Sequence, residues 1–271
     1  MKISAYLLKI ISIIALVISV FLKGPIVVAQ VTDNIEQLLS GEFIDPRDGN
    51  HYNFVKIGNQ VWMAENLAYL PVVHSNAEFI KQGFSSEPGY GVYGYNGRKL
   101  PEAKAQSSYT TYGVLYNWWA AMDGTDSSSS NQGRVKGACP TGWHLPGDDE
   151  WSASENYLKS LGYNYDGTTT GFKLAKSLSF STLWATSTNA GAVGNTDYPE
   201  KINSTGFNAL PGGYRSHFGE FLYIKLIGGW WTSTEDSPTN AWFRLIGFDV
   251  NFVLRDNIDK KNGYFIRCLK D

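Results

Sequence analysis

Polar and apolar residues alternate over His51-Tyr52-Asn53-Phe54-Val55-Lys56-Ile57, and after a Gly58-Asn59 turn signal the apolar positions resume at Val61-Trp62-Met63. A period of two marks a half-buried strand, so the two segments predict a hairpin. After Pro146 the period changes. Trp151, Leu158 and Leu161 recur at spacings of seven and three, which is one apolar stripe of a helix. Gly147 stands at the N-cap. Asp148, Asp149 and Glu150 put negative charge in the first turn, where the helix dipole favours it, and Gly162 ends the element. A shorter helix is expected at residues 172–178. Beyond Gly206 the chain breaks into short aromatic segments separated by glycine, and residues 224–231, 241–245 and 264–269 are the strand candidates. Residues 83–101, rich in Gly, Tyr and Pro without a period, predict an irregular stretch, and residues 127–131 a polar surface loop. Strands, turns and one or two short helices make an α+β domain of irregular antiparallel sheets.

The longest apolar run stands apart from this pattern. Residues 10–22 follow the positive Lys2 and end at Lys23-Gly24-Pro25, and Val27-Val28-Ala29 then supplies residues that a signal peptidase accepts. This is the layout of a secretory signal, with cleavage expected after Ala29. An uncleaved anchor needs about 20 apolar residues, a length the run reaches only by including Lys9. No cysteine lies near the cleavage site, so a lipid-modified N-terminus is not expected. Residues 30–41 read as a linker and residues 42–271 as the folded domain, secreted or held at the cell surface, with no membrane insertion after cleavage.

Charge narrows the partners. Cleavage takes Lys2, Lys9 and Lys23 from 23 basic residues and none of the 25 acidic ones, so the net charge of −2 becomes more negative. No basic field remains for a phosphate backbone, which argues against nucleic acid. The two cysteines, Cys139 and Cys268, most simply form one disulfide in an exported chain. Two buried thiols are the alternative.

Motif by motif, chemistry is thin. Gly89, Gly91 and Gly94 have dinucleotide-fingerprint spacing, but Asn96-Gly97-Arg98 and Pro101 follow where a helix would have to start. Asp45, Asp48 and Asn50 around Gly49 resemble a fragment of a calcium loop, yet the distal Glu is missing and a turn is the better reading. His51, His74, His144 and His217 show no zinc spacing, and there is no Gly-x-Ser-x-Gly elbow. Asn203-Ser204-Thr205 is a formal glycosylation acceptor. No catalytic residue, metal or cofactor is expected.

What stands out is the aromatic content, with nine Trp, sixteen Tyr and fourteen Phe. Between Gly212 and Arg255 these rings interleave with arginine and amides, types that dominate binding surfaces because they combine area, few rotors and directional polar groups. The candidate ligand-binding set is Tyr214, Arg215, Trp231, Trp242, Arg244, Asp249, Asn251, Phe252 and Arg255. By strand alternation, one of Trp230 and Trp231 should face inward and the other outward. The competing reading is that these residues are core.

Several segments together resemble a known family. They are Val55-Lys56-Ile57-Gly58-Asn59-Gln60-Val61-Trp62-Met63-Ala64-Glu65-Asn66-Leu67, Tyr112-Gly113-Val114-Leu115-Tyr116-Asn117-Trp118-Trp119-Ala120-Ala121 and Cys139-Pro140-Thr141-Gly142-Trp143-His144-Leu145-Pro146. Gly206-Phe207-Asn208-Ala209-Leu210-Pro211-Gly212-Gly213-Tyr214-Arg215, Trp230-Trp231-Thr232-Ser233-Thr234-Glu235 and the closing Arg267-Cys268-Leu269-Lys270-Asp271 complete the set. In this order they resemble the Fibrobacter succinogenes major paralogous domain. The resemblance implies a bacterial secreted or cell-surface protein from a family without a settled activity, and a relative of the C-type lectin-like and formylglycine-generating-enzyme-like folds. In such folds a cysteine before an early helix pairs with one on the final strand, and the diversified segment would correspond to about residues 242–262. The Glu-Pro-Asn and Trp-Asn-Asp motifs of calcium-dependent sugar sites are absent. The expectation is a non-catalytic module that binds an extracellular glycan or surface protein. A structural, fimbria-associated subunit is the alternative, and an enzyme relative with reactive thiols ranks below both.

Overall fold

A computed structural model describes residues 40–125 and 134–271. The expected signal segment, nearly all of the linker and the 127–131 loop lie outside the described residues. The elements in chain order are β1 (Ser40–Ile44), β2 (His51–Ile57), β3 (Gln60–Met63), α1 (Asn76–Phe84), β4 (Tyr90–Gly91), α2 (Leu100–Lys104), α3 (Ser107–Tyr112), β5 (Leu115–Tyr116), α4 (Trp118–Met122), β6 (Trp143–His144), α5 (Asp148–Ser160) and α6 (Ala175–Leu178). They are followed by β7 (Tyr214–Arg215), β8 (Phe221–Leu222), β9 (Ile227–Glu235), β10 (Asn240–Gly247), β11 (Leu254–Asp259) and β12 (Leu269–Lys270).

The hairpin signal is realised. Ile57 pairs with Gln60 and Val55 with Trp62 across a turn in which Gly58 takes φ +63°. β2 and β3 belong to a five-stranded sheet of order β1-β2-β3-β12-β6, in which Leu269 of the short β12 faces both Trp62 and His144. A second sheet, β11-β10-β9, is antiparallel, and two small ladders join β4 to β5 and β7 to β8. The chain is therefore α+β with mainly antiparallel sheets and few helices. Residues Glu42–Asp271 pack as one compact unit. Among the described residues no helix is long and apolar enough to cross a membrane.

Helix α5 starts where the charge pattern places it, and Glu150 accepts the Gly147 N–H at 2.8 Å. Its apolar stripe is narrower than expected. Trp151 and Leu158 are buried, but Leu161 is 57 % exposed as the C-cap, and Glu155 takes a buried position instead. The 172–178 helix shrinks to α6. Residues 264–268 do not form a continuous strand; Tyr264 bridges Tyr116 and Phe265 bridges Trp230 singly. The stretch 83–101 is not wholly irregular, since it holds the end of α1, then β4 and the first turn of α2.

Both faces of the β9–β11 sheet are covered, so Trp230 and Trp231 are each fully buried. The expected inward–outward split is corrected: alternation still sends them to opposite faces, but each face has its own core. On one face Trp230, Trp62, Trp151 and Phe207 form a ring cluster with centroids 4.7–6.2 Å apart. On the other, Trp231, Phe243 and Tyr264 pack at 5.1–6.4 Å. Cys139 and Cys268 are joined in a disulfide, which overturns the alternative of two free thiols and ties the entry to β6 to the entry to β12.

His144 braces the same corner. Its Nδ1 lies 2.8 Å from the Asp271 carboxylate and its Nε2 3.0 Å from that of Glu150. Burial lowers the His144 pKa, but the Glu150 and Asp271 hydrogen bonds and charges outweigh it and raise the value above the ordinary one. A folded pKa above the unfolded value stabilises fully below about pH 6.5, and that contribution is lost as pH rises through the folded pKa. The wild-type melting temperature is thus expected to fall from pH 6.5 towards pH 8 relative to His144→Gln. Parallel melting profiles for the two proteins would contradict this role.

Candidate functional site

The residues that meet at the start of α5 come from three elements. Arg244 of β10 and Arg255 of β11 are direct cross-strand partners, so their side chains share one face of the sheet, the face towards α5. Asp148, the first residue of α5, receives both. Its carboxylate accepts Arg244 Nη1 at 2.5 Å and, in a two-point contact, Arg255 Nε at 2.9 Å and Nη2 at 2.7 Å. Arg244 Nε also donates to Glu155 at 2.8 Å, and its Nη2 donates to Ser152 Oγ at 3.0 Å. Burial would raise the Asp148 pKa, but the hydrogen bonds and charges of Arg255 and Arg244 hold it below the carboxylate range. Glu155 goes the other way, because its burial outweighs Arg244.

Trp242 lies two residues before Arg244 in β10 and therefore on the same face, half-buried. The Arg255 guanidinium sits 3.7 Å over its ring, held there by Asp148 from below. Opposite Trp242 stands Asn257, and Asn240 Nδ2 donates to Asn257 Oδ1 at 2.8 Å. Four hydrogen-bonding groups around the ring have no partner among the described residues: Trp242 Nε1, Arg255 Nη1, Asn257 Nδ2 and Asn240 Oδ1. The Arg255 side chain is 45 % exposed, in contrast to Arg244 beneath it at 0 %. The result is a platform, with an aromatic surface held rigid from below and donors and an acceptor at its rim.

The sequence-predicted set does not form one face. Trp242 and Arg255 come together as described. Trp231 is corrected to core, its ring enclosed by Tyr264 and Phe243 and its Nε1 donating to Tyr116 O at 2.8 Å. Arg244 is corrected to a buried strut. Arg215 is corrected as well: it is fully buried between the Phe79 and Phe221 rings, at 4.3 and 4.8 Å, and donates to His74 O and Asn76 Oδ1. Among the described residues no carboxylate pairs with it, and burial pushes its pKa down to about 9. Tyr214 lies on the other side of the β9–β11 sheet, stacked at 5.2 Å on Tyr264. Asp249, Asn251 and Phe252 occupy the β10–β11 connection, where Asp249 O accepts the Asn189 side-chain Nδ2–H, Asn251 Nδ2 donates to Ala190 O, and Asn251 O accepts Ala175 N–H. Phe252 is 42 % exposed there.

Asp148, Asn240 and Asn257 were not anticipated. Asp148 was legible as a helix-start charge, but its arginine partners lie 96 and 107 residues away. The other candidate motifs resolve structurally. Asp45 is fully buried and paired with Arg47 at 2.7 Å, and Gly49 takes φ +75° in a turn, so this segment is a turn. Gly91 lies in β4, and a Cβ there would come 2.7 Å from Arg215 Nη1, so this glycine admits the buried guanidinium. Among the described residues no group of three His, Cys, Asp or Glu side chains is arranged to hold a metal. Two clefts, of about 220 Å³ around Asn50, Tyr109 and Thr111 and about 350 Å³ around Arg134, Lys136 and Thr141, share no lining residue with the Trp242 platform.

A family model described as the Fibrobacter succinogenes major domain matches residues 55–270. No curated protein and no solved structure matches the chain.

Proposed function

The chain belongs to the Fibrobacter succinogenes major domain family, and from that premise we propose that it is a non-catalytic module that binds a glycan through the Trp242 platform. One observation carries the reading: a half-exposed indole fixed by the Asp148–Arg255 pair and rimmed by four hydrogen-bonding groups that have no partner among the described residues. A pyranose ring has an apolar C–H face that stacks on an aromatic surface, and its hydroxyls need donors and acceptors at the edge of that surface. Trp242 supplies the first, and Arg255, Asn257 and Asn240 the second. Because Asp148 already holds Arg255, little side-chain freedom remains to be lost on binding.

The fold reading goes with this. The disulfide between the entry to an early strand–helix unit and the final strand, with Trp-rich antiparallel strands between, supports a C-type lectin-like arrangement. It also engages both cysteines, so no thiol is left for oxidase chemistry of the formylglycine-generating kind. Export to a secreted or cell-surface location rests on the pattern of residues 1–29, and a disulfide suits such a compartment.

The test is a glycan-array and cell-surface binding screen of the exported, oxidised protein beside Trp242→Ala. Binding to a defined glycan class is expected, weakened at least about 30-fold in the variant, as for truncation of a binding hot spot. A folded, monomeric protein that binds no glycan would overturn the reading in favour of a protein receptor.

A further inference from the structure

We propose that Tyr214 and Tyr223 form a second platform for a neutral pyranose ring, on the opposite face of the β9–β11 sheet from Trp242, so that the module engages two sugars at once. That it carries two sites rests on the glycan reading above; the second platform stands on its own observations.

The face is fixed by register. Phe243 precedes Arg244 and follows Trp242 in β10, so it points away from both, and it pairs with Trp231 on β9. Tyr264 packs on Phe243 and Trp231. Tyr214 stacks on Tyr264 at 5.2 Å with the rings 5° from parallel, and Tyr223 stacks on Tyr214 at 5.9 Å and 23°. Burial falls along the column, from Tyr264 at 2 % exposed, through half-buried Tyr214, to Tyr223 at 54 %. The sheet core thus extends as a column of rings that ends in solvent.

The backbone beneath the last ring is unusual. Tyr223 takes φ +59° and Lys225 φ +66°, left-handed conformations that a turn would fill at lower cost with glycine or asparagine. The segment is nonetheless tightly held. Leu226 and Ile227 N–H both donate to Tyr223 O, Lys225 N–H donates to Pro211 O, and Lys225 O accepts Ala185 N–H. A strained residue retained in a rigid turn, with its ring presented to water, is the pattern of a prearranged contact.

The polar groups around the column fit a neutral hydroxylated ring. The Tyr214 and Tyr223 hydroxyls have no partner among the described residues, and Lys225 is exposed without an ion pair there.

The experiment is an NMR titration of the exported protein, with labelled aromatic rings, against methyl glycosides of glucose, galactose and mannose. The Tyr214 and Tyr223 ring signals and the Trp242 indole signal are expected to move and saturate in the same sample. Tyr223→Gly removes the ring while relieving the left-handed strain, so folding is retained. In it the Tyr214 response should weaken more than tenfold and the Trp242 response should persist. Movement at Trp242 alone overturns the second platform and leaves the proposed function standing. Movement at the tyrosines alone upholds the second platform and overturns the Trp242 site. No movement at either overturns both.

Discussion

Arg244→Met is expected to lower the unfolding free energy by about 3–5 kcal/mol, the usual cost of removing one partner from a buried ion pair. Arg244 is fully buried and carries the charge that Asp148 and Glu155 face from α5. Asp148 would keep Arg255, but Glu155 would be left as a buried carboxylate without a cation. Urea denaturation reads the loss. A double variant, Arg244→Met with Glu155→Leu, separates causes. If the unpaired charge dominates, the double variant should recover part of the loss, because an apolar replacement of both partners removes the desolvation cost. No recovery would mean that the lost packing of the guanidinium carries the effect. In either case an Arg244 variant that keeps full stability would contradict its assignment as a strut.

Removing the disulfide with Cys139→Ser and Cys268→Ser together is expected to cost about 2–5 kcal/mol. The bridge spans 129 residues, a loop long enough for a large entropic effect in the denatured chain. It also serves the folded state. β12 has only two residues, yet it sits between β3 and β6 and completes the five-stranded sheet. Without the bridge, that strand is held in register by its ladders to β3 and β6 and by side-chain contacts alone. Thermal melting of the double variant, compared with the oxidised wild type, checks this, and an unchanged melting temperature would contradict it.

What the sequence shows and what it hides follow from range. The β2–β3 hairpin and α5 were legible because period, turn glycine and first-turn charge are local signals. β11 was missed, since Arg255-Asp256-Asn257 reads as a polar loop and becomes a strand only by pairing with β10. The candidate binding set mixes buried with exposed residues for a related reason. Arginine among aromatics is the composition of a binding face, but it is also the composition of a buried cation–aromatic staple. Arg215 lies between Phe79 and Phe221, and Arg267 is fully buried 4.4 Å from the Phe207 ring, donating to Met63, Phe207 and Asn208 carbonyls. Arg255 also lies against an aromatic ring, that of Trp242, yet remains half-exposed. Only the fold, by setting Asp148 beneath Arg244 and Arg255, separates strut from site. Trp230 and Trp231 teach the same point: alternation assigns them to opposite faces, but it carries no information that both faces are covered.

The central claim is that Trp242 is a ligand contact and Arg244 beneath it is not. The measurement that bears on it most directly pairs glycan affinity with urea denaturation for wild type and Trp242→Ala, using the strongest glycan from the array. The account predicts affinity lowered at least about 30-fold with an unfolding free energy changed by less than about 1 kcal/mol, as for a half-exposed side chain. Unchanged affinity in a folded Trp242→Ala protein, or loss of binding only through loss of folding, would contradict it.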